Sequence, residues 1–175
     1  MNERLKIIFL DIDGVLNYRP EDMAHSVPNF TRHDERCFGL NPDLVRNLKE
    51  VIDATDAKIV ISSEWRQHIN YLPYSMEREW REVLADGLER KVGDVIVGDT
   101  PYLSLTENRR GMEIRKWLEG WRDANPSDEF PRFIIVDDET SDILPLFDDL
   151  CVLKVDSRTG FTKHDANRAI AKLNG

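Results

Sequence analysis

The chain is predicted to fold as an α/β domain around a mainly parallel, five-stranded sheet. Five short, nearly continuous apolar runs at 5–10, 58–63, 94–98, 133–138 and 151–156 read as strands, and the segments between several of them carry a helical period. Apolar runs that do not alternate with polar residues belong to strands covered on both faces. Alternation of such strands with helices gives a mainly parallel sheet. The composition, 41% hydrophobic and 33% charged, is that of a globular chain. At 175 residues it is most simply one domain, 1–175, able to bury roughly 70% of its unfolded surface.

Taken in order, LKIIFL (5–10) supplies the first strand. Residues 18–40 show no period and contain Pro20, Pro28 and Gly39, which predicts a long loop or small excursion. In NPDLVRNLKEVIDAT, Asn41 stands at a helix cap, Pro42 at the first helical position and Asp43 in the first turn. Leu44, Val45, Leu48, Val51 and Ile52 then share one helical face. KIVISS (58–63) is the second strand. SMEREWREVLADGL is helical through Met76, Trp80, Val83, Leu84 and Leu88, and DVIVG (94–98) is the third strand. RGMEIRKWLEGW is a helix with Ile114, Trp117, Leu118 and Trp121 on its apolar stripe, and FIIVDD (133–138) is the fourth strand. DILPLF predicts a short helix, CVLKVD (151–156) a fifth strand, and TKHDANRAIAKL a last helix with Thr162 and Asp165 as a capping box.

Several function classes are disfavoured at once. A net charge of −9 argues against a broad, nonspecific grip on nucleic acid, which needs Lys and Arg to displace counterions. Cys37 and Cys151 are far apart and without C-x-x-C spacing, so neither a disulfide framework nor a thiolate zinc site is expected. The apolar run near the N-terminus is too short for a signal-peptide core or a membrane span and is stopped by Asp11. A cytoplasmic protein is expected.

Ligands of open parallel sheets bind outside the carboxyl ends of the strands. Asp11, Asp13, Ser62, Ser63, Asp137 and Asp138 all fall at such ends. Asp-x-Asp-Gly alone can be a simple turn, with glycine supplying a positive φ. A calcium loop of the EF-hand type fails, because Gly14 comes fourth in DIDG rather than sixth and a strand precedes it. The second acidic cluster, VDDETSD, ends another apolar strand and raises the functional reading. Gathered carboxylates repel one another and are costly to desolvate unless a cation or protons compensate. Hard oxygen ligands without His or Cys point to magnesium.

FLDIDGVL resembles the first motif of the haloacid dehalogenase-like hydrolases, an apolar strand ending in D-x-D-G. The resemblance implies a Rossmann-like three-layer sandwich. It further implies that Asp11 is a nucleophile that forms an aspartyl-phosphate, and that Asp13 is the general acid and then the general base. KIVISS fits the second motif, a phosphate-binding Ser or Thr, with Ser62 the closer match and Ser63 the alternative. The third motif, one basic residue against the phosphoryl oxygens, falls on Arg110 by its spacing, with Arg109 second. Arg66 in SEWR is either a phosphate clamp or the partner of a structural carboxylate. DDETSD fits the fourth motif, with Asp138 as the first choice of metal ligand. Asp137 or Asp142 would ligate through water or orient the site, and the backbone carbonyl of Asp13 would complete the set with Asp11.

More narrowly, DIDGVLN, AKIVISSEWR, RGMEIRKWL, IIVDDETSD and VDSRTGFT together resemble the hydrolase domain of "Swiss Army Knife" RNA repair proteins. A magnesium-dependent phosphomonoesterase is therefore expected, since within the superfamily a second acid serves an alkoxide leaving group and dehalogenases lack it. Segments 18–40 and 67–93 are the candidate cap insertions. Small caps would leave the site open to a bulky phosphorylated substrate, such as a nucleotide, a nucleic-acid end or a phosphoprotein. Tyr18, Trp65, Tyr71 and Tyr74 would stack a base, or else belong to the core or rim. The alternative is a domain that binds phosphorylated ligands or partners without turnover.

Overall fold

The computed structural model describes residues 4–17, 39–66, 80–104 and 108–175. Five strands form one sheet: β1 (Lys6–Leu10), β2 (Lys58–Ile61), β3 (Ile96–Asp99), β4 (Arg132–Asp137) and β5 (Val152–Lys154). Their order is β3-β2-β1-β4-β5 and every pairing is parallel. The helices are α1 (Pro42–Thr55), α2 (Trp80–Gly87), the single turn α3 (Val92–Val95), α4 (Arg109–Ala124) and α5 (Lys163–Asn174).

Strand alternation divides the core into two. Ile8 and Leu10 of β1, Ile59 and Ile61 of β2, and Ile134 and Val136 of β4 face α1, α2 and α5, meeting Leu48, Trp80, Leu84 and Ala169. Ile7, Phe9, Val60 and Ile135 face the other way, against Ile114 and Leu118 of α4. The sheet is thus sandwiched between helical layers, as expected of the three-layer α/β class.

Local signals explain the helix ends. The Asn41 side chain accepts from the backbone N–H of Asp43 at 2.9 Å, and Pro42 opens α1 where no N–H is needed. Thr162 and Asp165 form the reciprocal capping box at the start of α5.

Some expectations need correction. DILPLF is a series of turns rather than a helix: Ile143 and Leu144 both donate to the Thr140 carbonyl, and Pro145 has no N–H with which to continue. The third strand starts at Ile96, because residues 92–95 wind into one helical turn first. Most of the first candidate insertion, 18–38, and residues 67–79 of the second lie outside the described residues, with Tyr18, Cys37, Tyr71, Tyr74 and Met76. Residues 80–88 instead belong to the main core through Trp80, Leu84, Ala85 and Leu88. Cys151 carries a free thiol. Among the described residues no helix is long and apolar enough to cross a membrane.

Candidate active site

From β1 the chain moves outward to β2 and β3, then returns across the sheet to β4 and β5. The carboxyl ends of β1 and β4 therefore flank the point where the direction of winding reverses, where the crevice of such sheets opens. Register brings the polar ends level: Leu10 pairs with Ile61 on one side and Val136 on the other. Beyond them, Asp11 N donates to the Val136 carbonyl at 3.0 Å, and Ser62 N to the Leu10 carbonyl at 2.8 Å.

Asp11 and Asp137 continue the alternation of Phe9 and Ile135, the residues that face α4. Arg110, in the first turn of α4, meets both. Its Nη2 lies 3.7 Å from Asp11 Oδ1 and its Nε 3.6 Å from Asp137 Oδ2, while Nη1 donates to the Ser62 carbonyl. Helical phase explains the choice between neighbouring arginines, since Arg110 shares its face with Ile114 and Trp117. Arg109 turns aside, donating to Glu64 Oε1 at 2.5 Å.

One carboxylate oxygen from each of Asp11, Asp137 and Asp138 lies within 4.8 Å of the others, and all three residues are buried. Burial raises the Asp11 carboxyl to about 6, against the lowering influence of Arg110, a Ser63 hydrogen bond and the Ile12 N–H, while the charge of Asp13 adds to the rise. Asp137 is pushed well above the carboxylate range by burial first and by the charge of Asp11 second, partly offset by Arg110 and the Glu139 N–H. Arg110 is held all the more firmly in its charged form: burial opposes this, but Asp11, Asp137, Glu113 and Glu64 outweigh it. Gly14 has φ +77°, and a side chain there would run into Asp138 Oδ2. Conformation and close approach both call for glycine.

Asp13 stands apart from this trio. Its Oδ1 accepts from Asn17 Nδ2 at 2.8 Å and its Oδ2 from the indole N–H of Trp65 at 2.9 Å. Trp65 is packed edge-on against Trp80, ring centroids 5.6 Å apart, so its ring belongs to the core rim and its N–H to the site. Ser62 and Ser63 are both buried; Ser63 bonds Asp11, and Ser62 Oγ has no hydrogen-bond partner among the described residues. The two serines thus differ: Ser63 is committed to Asp11, and the buried Ser62 Oγ is left without a partner among the described residues.

Arg66 follows the second of its two expected courses, pairing with a carboxylate. Its Nη2 donates to Glu113 Oε2 at 2.6 Å and its Nη1 to the Ser63 carbonyl at 2.7 Å, with both charged side chains buried. Asp142 accepts from Arg110 N at 2.9 Å, so it orients the start of α4 and is not one of the three clustered carboxylates. Two residues that support the site, Asn17 and Glu113, were not expected from the sequence. Glu113 carried a signal: it stands on the stripe of Trp117 and Trp121, where a charge is out of place unless paired.

The three carboxylates offer only hard oxygen donors, with no imidazole or thiolate among them, and this donor set fits magnesium. An apolar central strand ending in DIDG, a second acidic strand end beside it and one arginine set against both define a haloacid dehalogenase-like hydrolase domain. The chain belongs to the family described as the HAD domain in Swiss Army Knife RNA repair proteins, whose model matches residues 7–166. No curated protein and no solved structure gives a significant match.

Proposed function

We propose that the protein is a magnesium-dependent phosphomonoesterase working through an aspartyl-phosphate on Asp11. The observation that carries this reading is the juxtaposition of a buried Asp11 carboxylate with Arg110, inside a trio of carboxylates, while Asp13 is held separately on its own donors. Two carboxylates two residues apart thus have different surroundings, which is what two different roles require.

In this mechanism Arg110 and the unpartnered Ser62 Oγ receive the phosphoryl oxygens, offsetting the repulsion between an anionic substrate and an anionic nucleophile. An Asp11 oxygen forms the new bond to phosphorus as the ester P–O bond breaks. Asp13 gives its proton to the departing oxygen, so the alcohol leaves neutral. In the second half Asp13 takes a proton from water, the water oxygen bonds to phosphorus, and the Asp11–phosphorus bond breaks to release phosphate. Magnesium would be held by Asp11, Asp138 and Asp137, with the Asp13 backbone carbonyl, and when bound supplies positive charge against the transferring phosphoryl group. Asp142 acts at one remove, by fixing the first turn of α4.

The substrate we infer is a terminal phosphate on a nucleotide or nucleic acid. It is supported by the RNA-repair setting in the family's description. The net charge of −9 fits recognition of an end rather than a grip along a strand. We further infer a single domain with small cap insertions within 18–40 and 67–93, and a reducing, cytoplasmic setting in keeping with the free thiol of Cys151.

Phosphate release tests the reading. Purified protein is assayed with and without magnesium on p-nitrophenyl phosphate, sugar phosphates, mononucleotides, phosphopeptides and oligonucleotides phosphorylated at either end. Turnover that needs both magnesium and Asp11, and is fastest on oligonucleotide ends, is expected. Ligand binding without turnover across the whole panel would instead establish a phosphate-binding domain.

A further inference from the structure

We propose that Trp65 and Asn17 are positioning residues that fix the Asp13 carboxyl group for proton transfer to the leaving oxygen. The proposal rests on the phosphatase reading of the same site. It starts from the asymmetry among the aspartates: Asp11, Asp137 and Asp138 share one small volume, whereas Asp13 has each of its oxygens committed to a neutral N–H donor.

Each donor is itself immobilised. Asn17 Oδ1 accepts from Gly14 N at 3.0 Å, so its amide has one orientation, with Nδ2 left for Asp13. Trp65 lies in the helical turn 64–66 that follows β2. That turn is tied at its far end by Arg66, which donates through its backbone and its guanidinium to the Ser63 carbonyl and pairs with buried Glu113. The indole ring is wedged against Trp80, a residue of the main core. Neither donor can follow Asp13 if it rotates.

A carboxylate has about four lone-pair directions. Trp65 and Asn17 occupy one on each oxygen, which leaves a second on each, and the transferable proton occupies one of these, directed at the leaving oxygen. A group held this way meets the leaving oxygen in a single rotamer instead of searching several. It also cannot swing into the neighbouring acidic trio. Loss of the indole N–H should therefore slow the proton-transfer step specifically and leave phosphate binding by Arg110 and Ser62 intact.

The test is a leaving-group series of aryl phosphates from p-nitrophenyl to phenyl phosphate, assayed with magnesium on wild type, Trp65→Phe, Asn17→Ala and Asp11→Asn. Trp65→Phe keeps a ring against Trp80 and removes only the donor. We expect its rate on the poorest leaving group to fall about tenfold to a hundredfold, with KM little changed, because misplacing a catalytic group costs up to about a hundredfold, a part of the roughly 10²- to 10⁴-fold that general acid catalysis contributes. The loss should shrink toward p-nitrophenyl phosphate, whose leaving group needs least protonation. Asn17→Ala should steepen the same dependence. The bond itself is read without turnover from the Trp65 indole N–H resonance, assigned through its disappearance in Trp65→Phe, which should shift in Asp13→Asn. Equal losses on every leaving group, no loss, or an unshifted indole resonance would overturn the positioning role alone if turnover still requires Asp11. Full activity in Asp11→Asn, or no turnover by wild type, would overturn the phosphatase reading beneath it.

Discussion

Two buried ionic centres flank the first turns of α4, and they are built on opposite plans. Arg66 and Glu113 pair at 2.6 Å, while the other Glu113 oxygen accepts from the Leu103 N–H at 3.0 Å and lies 4.0 Å from the Nε of Arg109, which is itself paired with Glu64. At the other centre Asp11 and Asp137 share Arg110 at 3.7 and 3.6 Å, and Asp138 brings a third carboxylate into the same volume. The first centre is closed and close to neutral. The second carries more negative charge than its nearest cation offsets, and the Asp11 and Asp137 carboxyl groups are held above their ordinary range. A fold tolerates such an excess where a cation or a proton is meant to arrive. The comparison teaches that burial of charge does not by itself mark a site. Imbalance does.

The sharpest way to break that contrast is to remove Asp11, the proposed nucleophile. Asp11→Asn is expected to lower phosphate release by at least about a thousandfold, the scale on which loss of a covalent catalyst is felt. The folded protein should survive, since the substitution removes one of three mutually repelling carboxylates. Measured without metal, its melting temperature is expected at or above that of wild type.

Glu113→Ala should do the reverse. It strands the Arg66 guanidinium in a buried setting and is expected to cost about 3 to 5 kcal/mol, seen as a lower denaturant midpoint with an unchanged slope. Replacing both partners, with Arg66→Met added to Glu113→Leu, should recover much of that loss, because no buried charge is then left alone. If Glu113→Ala were as stable as wild type, the closed centre would not be the structural element assigned to it.

The third expectation concerns pH. Asp11 has a folded carboxyl value of about 6 against 3.8 as its ordinary value, so the folded state binds this proton more tightly than the unfolded chain. Stability associated with that proton is present at low pH and is lost as pH rises from about 4 through about 6. Asp137, also raised, adds a loss of the same sign. Metal-free protein should therefore melt a few degrees lower at neutral pH than its other groups alone would dictate. Magnesium should raise the melting temperature more at pH 7 than at pH 5, because at pH 5 it competes with protons for the same oxygens. An equal magnesium effect at both values would argue against the acidic trio as the metal site.

How much of this was legible beforehand depended on how local the signal was. Asn41, Pro42, Thr162 and Asp165 act within a turn of their helices, and the chain shows them directly. The central strands β1, β2 and β4 were readable because they are largely covered on both faces and carry no alternation to confuse with a helix, whereas the edge strand β3 leaves Val97 exposed. The preference for Arg110 over Arg109 agrees with helical phase, a short-range property. DILPLF misled because its apolar residues suggested a helix while Pro145 removed the N–H that would extend it. The Trp65 to Asp13 bond spans 52 residues and the Arg66 to Glu113 bond 47. Nothing local encodes either, although a glutamate on the stripe of Trp117 was an anomaly that called for a partner. In the sequence Trp65 stands out only as an aromatic, whereas its contribution to the site is the N–H.

The smallest effect belongs to a third centre, the capping box of α5. Thr162 Oγ1 donates to Asp165 Oδ2 at 2.5 Å and accepts from Asp165 N, and the preceding residue reaches back to the site loop through Phe161 N to the Val15 carbonyl at 2.8 Å. Thr162→Ala removes a cap worth about 1 kcal/mol, which in a chain of this size lowers the melting temperature by about 2 to 4 °C. The backbone bond from Phe161 does not involve the Thr162 side chain, so the turn after DIDG keeps its anchor. Phosphate release below the melting transition should stay at the wild-type rate. A large loss of activity in this variant would mean that the geometry of the Asp11 loop depends on α5 far more than the imbalance argument allows, and that a balanced contact can be as functional as an unbalanced one.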